Sequence, residues 1–146
     1  QKTKIFDSLM TKETILLRPG VASLIGYALD NSLPLAFVTS TSEANIDAIF
    51  FALKGQVKRS DFSFIGNDMM VSNPKPNPEI YLKALSSLHL EAKDCIAIED
   101  TEISMQAALA AEIKCIGFPG VFSKNNDFSG AVLITDNIST NNLVNF

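Results

Sequence analysis

An α/β domain built on a doubly wound parallel sheet is the fold this sequence predicts. Short apolar runs of strand length alternate with longer stretches of helical periodicity. The runs are apolar on both faces, as strands covered by helices on both sides must be. The chain has 146 residues, enough for one domain with a real core.

Five runs read as buried strands: Leu35–Thr39, Phe62–Gly66, Cys95–Glu99, Lys114–Phe118 and Ala131–Thr135. Helical faces fall between them. Val21, Leu24, Ile25, Ala28 and Leu29 share one; Ile46, Ile49, Phe50 and Leu53 share the next, with Gly55 as its stop. Tyr81, Ala84, Leu85 and Leu88 form a third, and the Ala- and Met-rich residues 102–111 a fourth. Pro19 heads the first helix, Ser42 is an N-cap for the second, and Asn77-Pro78-Glu79 reads as cap, N1 and N2 of the third. Strands joined by single helices imply right-handed crossovers and helices on both faces. Ahead of them, Ile5 with Leu9 and Phe6 with Met10 are spaced for a helix, and Thr11 to Arg18 reads as a connector.

Composition narrows the function. The net charge is −4 and no Lys/Arg cluster stands out, which argues against nucleic acid as a partner. No apolar run approaches a membrane span and no signal peptide opens the sequence. Cys95 and Cys115 each head a short apolar run and read as buried free thiols, suited to a reducing compartment; their spacing matches no metal motif. The expected location is the cytoplasm, or the plastid stroma in a plant or alga. His89, the single histidine, sits between two segments and reads as a loop position rather than a catalytic one.

Three polar sets fall where doubly wound sheets bind ligands, at the carboxyl ends of strands. Thr39-Ser40-Thr41 ends the first strand; it can hold a phosphate through hydroxyls and backbone N–H groups, or be a plain helix cap. Lys75 lies within Asn73-Pro-Lys-Pro-Asn-Pro78, whose three prolines stiffen the loop. A held ammonium can offset phosphate charge; a solvated lysine ahead of a helix is the plainer alternative. Glu99-Asp100 ends the third strand, and adjacent carboxylates repel unless a cation or donors compensate. Oxygen ligands suit Mg²⁺, whereas acidic residues at a helix N-terminus also suit the dipole.

In sequence these sets read Phe37-Val-Thr-Ser-Thr41, Lys75-Pro-Asn-Pro-Glu-Ile-Tyr81 and Ile98-Glu-Asp-Thr101. Together they resemble the second, third and fourth motifs of the haloacid dehalogenase superfamily, within it the β-phosphoglucomutase-like subgroup. Lys2-Thr-Lys-Ile-Phe6 leading to Leu17-Arg-Pro-Gly-Val21, with Phe122–Ala131 containing Asp127-Phe-Ser-Gly130, looks like the xylulose-1,5-bisphosphate phosphatase branch. The resemblance implies a three-layer Rossmann-like core, Mg²⁺ as cofactor and a sugar phosphate as substrate. It implies that residues 1–12 are the remnant of a cap-domain helix and 13–146 the core domain. Thr39 and Ser40 would bind phosphate, Lys75 would act in catalysis and phosphate binding, and Asp100, with Glu99 further from the ion, would serve the metal.

One motif departs. In the family a first strand ends in Asp-x-Asp, the nucleophile and the acid/base, and that motif is not found in these 146 residues. Lys4-Ile-Phe-Asp7 is a weak match, because Leu9 stands where the second Asp belongs and Met10 where the following Gly does. Ser104 replaces the Gly usual in the helix after motif four. The expectation is therefore part of an aspartyl-phosphate phosphatase, inactive alone; the alternatives are a non-catalytic phosphate- or metal-binding module, or a phosphomutase. In the family the first-motif strand lies between the strands ending at Thr39 and Glu99. Without it those strands must pair directly, take a segment from a second copy, or join across a homodimer, pairing through another chain being the expectation.

Overall fold

The computed structural model describes residues 14–143. The expected cap-helix remnant and Asp7 lie outside the described residues. Helix α1 spans Val21–Asp30, followed by β1 Ala36–Val38, α2 Glu43–Ala52, β2 Phe64–Gly66, α3 Glu79–Leu88, β3 Ile96–Glu99, α4 Glu102–Ala110, β4 Lys114–Gly117 and β5 Leu133–Ile134. Every strand pair is parallel, and the alternation is the α/β class the sequence predicts.

The ladder is in two parts. β1 pairs with β2, with Val38 opposite Gly66. β3, β4 and β5 form the second sheet, with Ala97 opposite Cys115 and Gly117 opposite Ile134. Among the described residues β1 and β3 share no ladder, so direct pairing of these two strands is not how the sheet is completed. Ala36 on β1 and Ile98 on β3 are both exposed.

Alternation along the strands sorts the helices. Val38 and Cys115 point to a core shared with Phe64 of β2 and with Ile80, Tyr81, Ala84, Met105 and Ala108, which α3 and α4 supply. α3 packs on β1 and β2, α4 on β3 and β4, and the two helices touch, so one core spans both sheets. Ala107 and Ala108 are fully buried, and their small side chains let α4 lie close to the strands. On the opposite face Ile116 and Phe118 pack with Leu24 of α1 and with Ile138. There too the rings of Phe37, Phe50 and Phe62 meet with centroids 5.7 Å apart, fastening α2 to β1.

Several expected boundaries shift for local reasons. Phe62 does not open β2: its N–H closes a tight turn onto Arg59 O at 3.2 Å. Ala131 does not open β5, because its N–H bonds Phe128 O at 2.9 Å. Leu29 is 44% exposed rather than part of the buried face of α1. It lies five residues after Leu24, roughly 140° further round the helix. Pro19 precedes α1, but the cap is Gly20, in the left-handed region at φ 88°. A side chain there would strike Ile138 O. Ser42 caps α2 as predicted, its Oγ accepting from Asn45 N at 3.3 Å. α2 ends one turn before Gly55, with Lys54 already left-handed. α3 begins at Glu79 with Pro78 before it, while Asn77 Oδ1 accepts from Glu79 N at 3.0 Å, the bond a side-chain cap makes. His89 follows α3 in a left-handed conformation and is exposed. Cys115 is buried; Cys95 is only half-buried, and both are free.

Candidate active site

The carboxyl ends of β1 and β3 are joined by one side chain. Lys75 Nζ donates to Val38 O, the last carbonyl of β1, at 3.1 Å, and to Glu99 Oε1, at the end of β3, at 3.2 Å. Its third contact is Ser104 Oγ on α4, at 3.3 Å. An ammonium has three donors, and these are three acceptors. The ion pair is secluded: the side chains are 6% and 11% exposed.

The loop that delivers Lys75 is folded back on the start of α3. The Glu79 carboxylate accepts from Ser72 N, from Asn73 N at 2.9 Å and from Asn73 Nδ2 at 3.1 Å. Asn77 N donates to Pro74 O at 3.0 Å. Those donors hold the Glu79 carboxyl below its usual range, the Ser72 amide contributing most. The Lys75–Pro76 peptide is cis.

Glu99 is held from two sides, because the Tyr81 hydroxyl on α3 also donates to its Oε1. Burial pushes the Glu99 carboxyl above its ordinary value; the Lys75 charge pulls it back in part, and the charge of Asp100 adds a smaller push upward. The buried Cys115 thiol nearby is pushed up to about 12, by burial first and by the charge of Glu99 second. A thiol in that state is a poor nucleophile. Cys95 is shifted upward as well, chiefly by burial.

Thr39 follows Val38 directly, and its Oγ1 accepts from Thr41 N at 3.2 Å, turning the chain toward α2. Thr41 O accepts from Asp68 N at 3.0 Å, which ties this turn to the loop after β2. Ser40 is exposed at the tip of the turn. Asp100 is exposed beside Glu99, and its backbone carbonyl accepts from the buried Ser123 hydroxyl. Thr101 caps α4 through Ser104 N at 3.3 Å. Thus Lys75 and Glu99 are in contact, Thr39 follows Val38, whose carbonyl Lys75 binds, Asp100 follows Glu99, and Ser40 is exposed.

Tyr81 reads in the sequence only as part of a buried helix face, Ser104 only as an atypical residue, and Ser123 not at all. The one available signal was chemical: a buried Tyr needs a partner for its hydroxyl. For Mg²⁺ the donors on hand are few. Among the described residues no cluster of three or more His, Cys, Asp or Glu side chains could hold a metal. Asp100 offers an exposed carboxylate, while one oxygen of Glu99 is taken by Lys75 and Tyr81. That set fits the way Mg²⁺ is commonly held, by one or two carboxylates completed by phosphate oxygens and water.

A parallel α/β core with a lysine and paired carboxylates at its strand ends places polar groups where doubly wound α/β domains bind ligands. The chain belongs to the haloacid dehalogenase-like hydrolase family, whose profile matches residues 1–118. It is similar to plasmid-borne protein CbbY of Cupriavidus necator, 40% identical over 133 residues, which cover 91% of this chain and 52% of that protein. Protein CbbY of Cereibacter sphaeroides is 36% identical over 138 residues, 94% of this chain and 60% of the relative. Among solved structures, a mutant CbbY from Rhodobacter sphaeroides in complex with xylulose-(1,5)bisphosphate superposes with a TM-score of 0.87 at 37% identity, covering 93% of this chain and 60% of that one. β-Phosphoglucomutase from Clostridium difficile gives 0.75 at 25% identity, over 97% of this chain and 59% of that one. The chain therefore spans about half to three-fifths of the length of these relatives. Among the described residues no helix is long and apolar enough to cross a membrane.

Proposed function

We propose that this chain carries the lysine and acidic portion of a sugar-phosphate phosphatase site. The observation that supports the reading best is the buried Lys75–Glu99 pair at the junction of β1 and β3. A lysine held there by three acceptors presents a fixed positive charge where a phosphoryl group would lie. The proposed nucleophile is an aspartate on a strand between β1 and β3, giving an aspartyl-phosphate intermediate; no Asp-x-Asp motif occurs in these 146 residues.

In this reading Thr39 and the backbone of Ser40 bind phosphate oxygens, Lys75 offsets their charge, and Glu99 positions Lys75. Asp100 would hold Mg²⁺, which when bound would neutralise further charge on the phosphate. The substrate class proposed is a sugar bisphosphate, the kind of ligand named for the Rhodobacter sphaeroides relative. A reducing compartment such as the cytoplasm or plastid stroma suits the two free thiols. For the 146 residues alone we propose pairing of the open β1 and β3 edges through a second copy. Light scattering that finds only monomers at high concentration would count against that pairing.

The function is tested by assay of the 146-residue chain with xylulose-1,5-bisphosphate and Mg²⁺, alone and after joining to the amino-terminal part of a CbbY relative. No turnover alone and turnover on joining, lost again in Lys75→Ala, is expected. Turnover by the 146 residues alone, abolished by Asp7→Asn, would replace this reading with one centred on Asp7. A joined protein that folds and binds Mg²⁺ yet leaves every sugar phosphate intact would favour a non-catalytic module.

A further inference from the structure

The geometry points to Ser104 as a positioning residue for Lys75, a role that rests on Lys75 serving the proposed phosphate site. The three acceptors around the ammonium differ in kind. Val38 O is strand backbone, fixed by β1. Glu99 Oε1 is charged and is also held by the Tyr81 hydroxyl. Ser104 Oγ is a neutral side chain on another element, at 3.3 Å. Without it, one N–H of a nearly buried ammonium has no described acceptor, and an unmet donor in such a site is costly.

Ser104 is itself well placed. It stands in the first turn of α4, where Thr101 Oγ1 accepts from its backbone N–H at 3.3 Å. That bond uses the main chain and leaves the hydroxyl free to turn toward the site. A hydroxyl can accept and donate at once, so accepting the hydrogen bond from Lys75 leaves its own O–H free to donate. Ser104 thereby supplies the third acceptor of the ammonium, and α4 becomes a third wall of the lysine cradle beside β1 and β3. A glycine or alanine at this position would leave the ammonium on two acceptors and free to swing.

The test uses the full 146-residue chain with ¹³C,¹⁵N-labelled lysine, observing side-chain ammonium protons by NMR. The other described lysines are exposed. One slowly exchanging ammonium signal is therefore expected, and Lys75→Arg should remove it. Ser104→Ala should speed its exchange roughly fivefold, the effect of one lost hydrogen bond, and Ser104→Thr should restore the slow rate. Amide spectra report whether each variant keeps its fold. Equal exchange rates in the parent and a folded Ser104→Ala variant, or a parent with no signal that Lys75→Arg removes, would overturn the assignment. Addition of inorganic phosphate separates the two claims. If phosphate leaves the Lys75 signal unmoved, the phosphate-site reading fails, while the role of Ser104 still stands or falls on the exchange rates.

Discussion

Lys75 Nζ and Glu99 Oε1 lie 3.2 Å apart at the carboxyl ends of two strands that share no ladder among the described residues. The pair does more than place charge. Lys75 also bonds Val38 O, so a single side chain links the β1–β2 sheet to the β3–β4–β5 sheet. The seam is both the proposed reaction site and a structural joint, and substitutions there should register in stability as well as in activity.

Lys75→Met should cost about 3 kcal/mol at neutral pH, the scale for breaking one partner out of a buried pair. Glu99 would remain secluded without its cation. Its carboxyl already lies above the ordinary 4.5 because of burial, and loss of the Lys75 charge raises it further. A raised carboxyl binds more protons folded than unfolded, so the stability it contributes is full below pH 4.5 and is lost as pH rises through the folded value. The deficit of Lys75→Met relative to the parent should therefore shrink on acidification, as read by urea unfolding at several pH values. A deficit independent of pH would mean that Glu99 gains water when Lys75 leaves.

Tyr81→Phe removes only a hydroxyl from a ring that is 5% exposed. The expected loss is about 1.5–3 kcal/mol, the range for a hydrogen bond to a charged group. Because Tyr81 and Lys75 both serve Glu99 Oε1, the double variant with Lys75→Met should be non-additive. Strict additivity in a denaturation cycle would show that the two donors do not act on one carboxylate.

The strands and the α/β class were legible because an apolar run flanked by helical periodicity has few other folds open to it. Strand ends were less so. Phe62 and Ala131 are apolar, and apolarity alone cannot tell a strand residue from one that closes a turn and then packs inward. The sets at Thr39 and Glu99 were visible through their positions after apolar runs, since a parallel sheet puts every such position at one end, and Lys75 through the three prolines of its loop. What joins them was not visible. Tyr81 to Glu99 and Ser104 to Lys75 depend on α3 and α4 lying side by side, which no local pattern encodes. Glu79 read as an ordinary first-turn acid, yet it organises the lysine loop.

Glu79→Gln should loosen the loop that carries Lys75. The parent carboxylate collects the Ser72 and Asn73 amides, and these donors lower its pKa. A lowered carboxyl stabilises the folded chain above its unfolded value of 4.5, and that contribution fades as pH falls through the lower folded value. Relative to the intrinsic exchange rate at each pH, protection of the Ser72 and Asn73 amides should fall in the parent on acidification below the ordinary carboxylate value of 4.5, whereas in Glu79→Gln it should be low already at neutral pH and unchanged by acid. Identical protection in parent and variant would assign the order of this loop to its prolines alone.

Ser123→Ala tests how Asp100 is kept in place. The Ser123 hydroxyl is the buried polar side chain of the loop after β4; it accepts from Gly120 N at 2.9 Å and donates to Asp100 O. The same loop is tied to α4 by Asn126 Oδ1, which accepts from Glu102 N at 3.1 Å, and by Asp127 N, which donates to Glu102. Its entry is gripped by Arg18, whose guanidinium donates to Phe118 O and Pro119 O and lies over the Phe118 ring. Those outer ties survive the substitution, so the loop should stay docked while its inner bond is lost. Two backbone groups would be left without the hydroxyl, and an unmet buried group costs about 1–3 kcal/mol. Urea unfolding should show a loss in that range, and hydrogen exchange at Gly120 should accelerate while Asp127 stays protected. Acceleration spread evenly over residues 119–130 would mean that Ser123 holds the entire loop, and that Asp100 is positioned by the loop as a unit rather than by one hydroxyl.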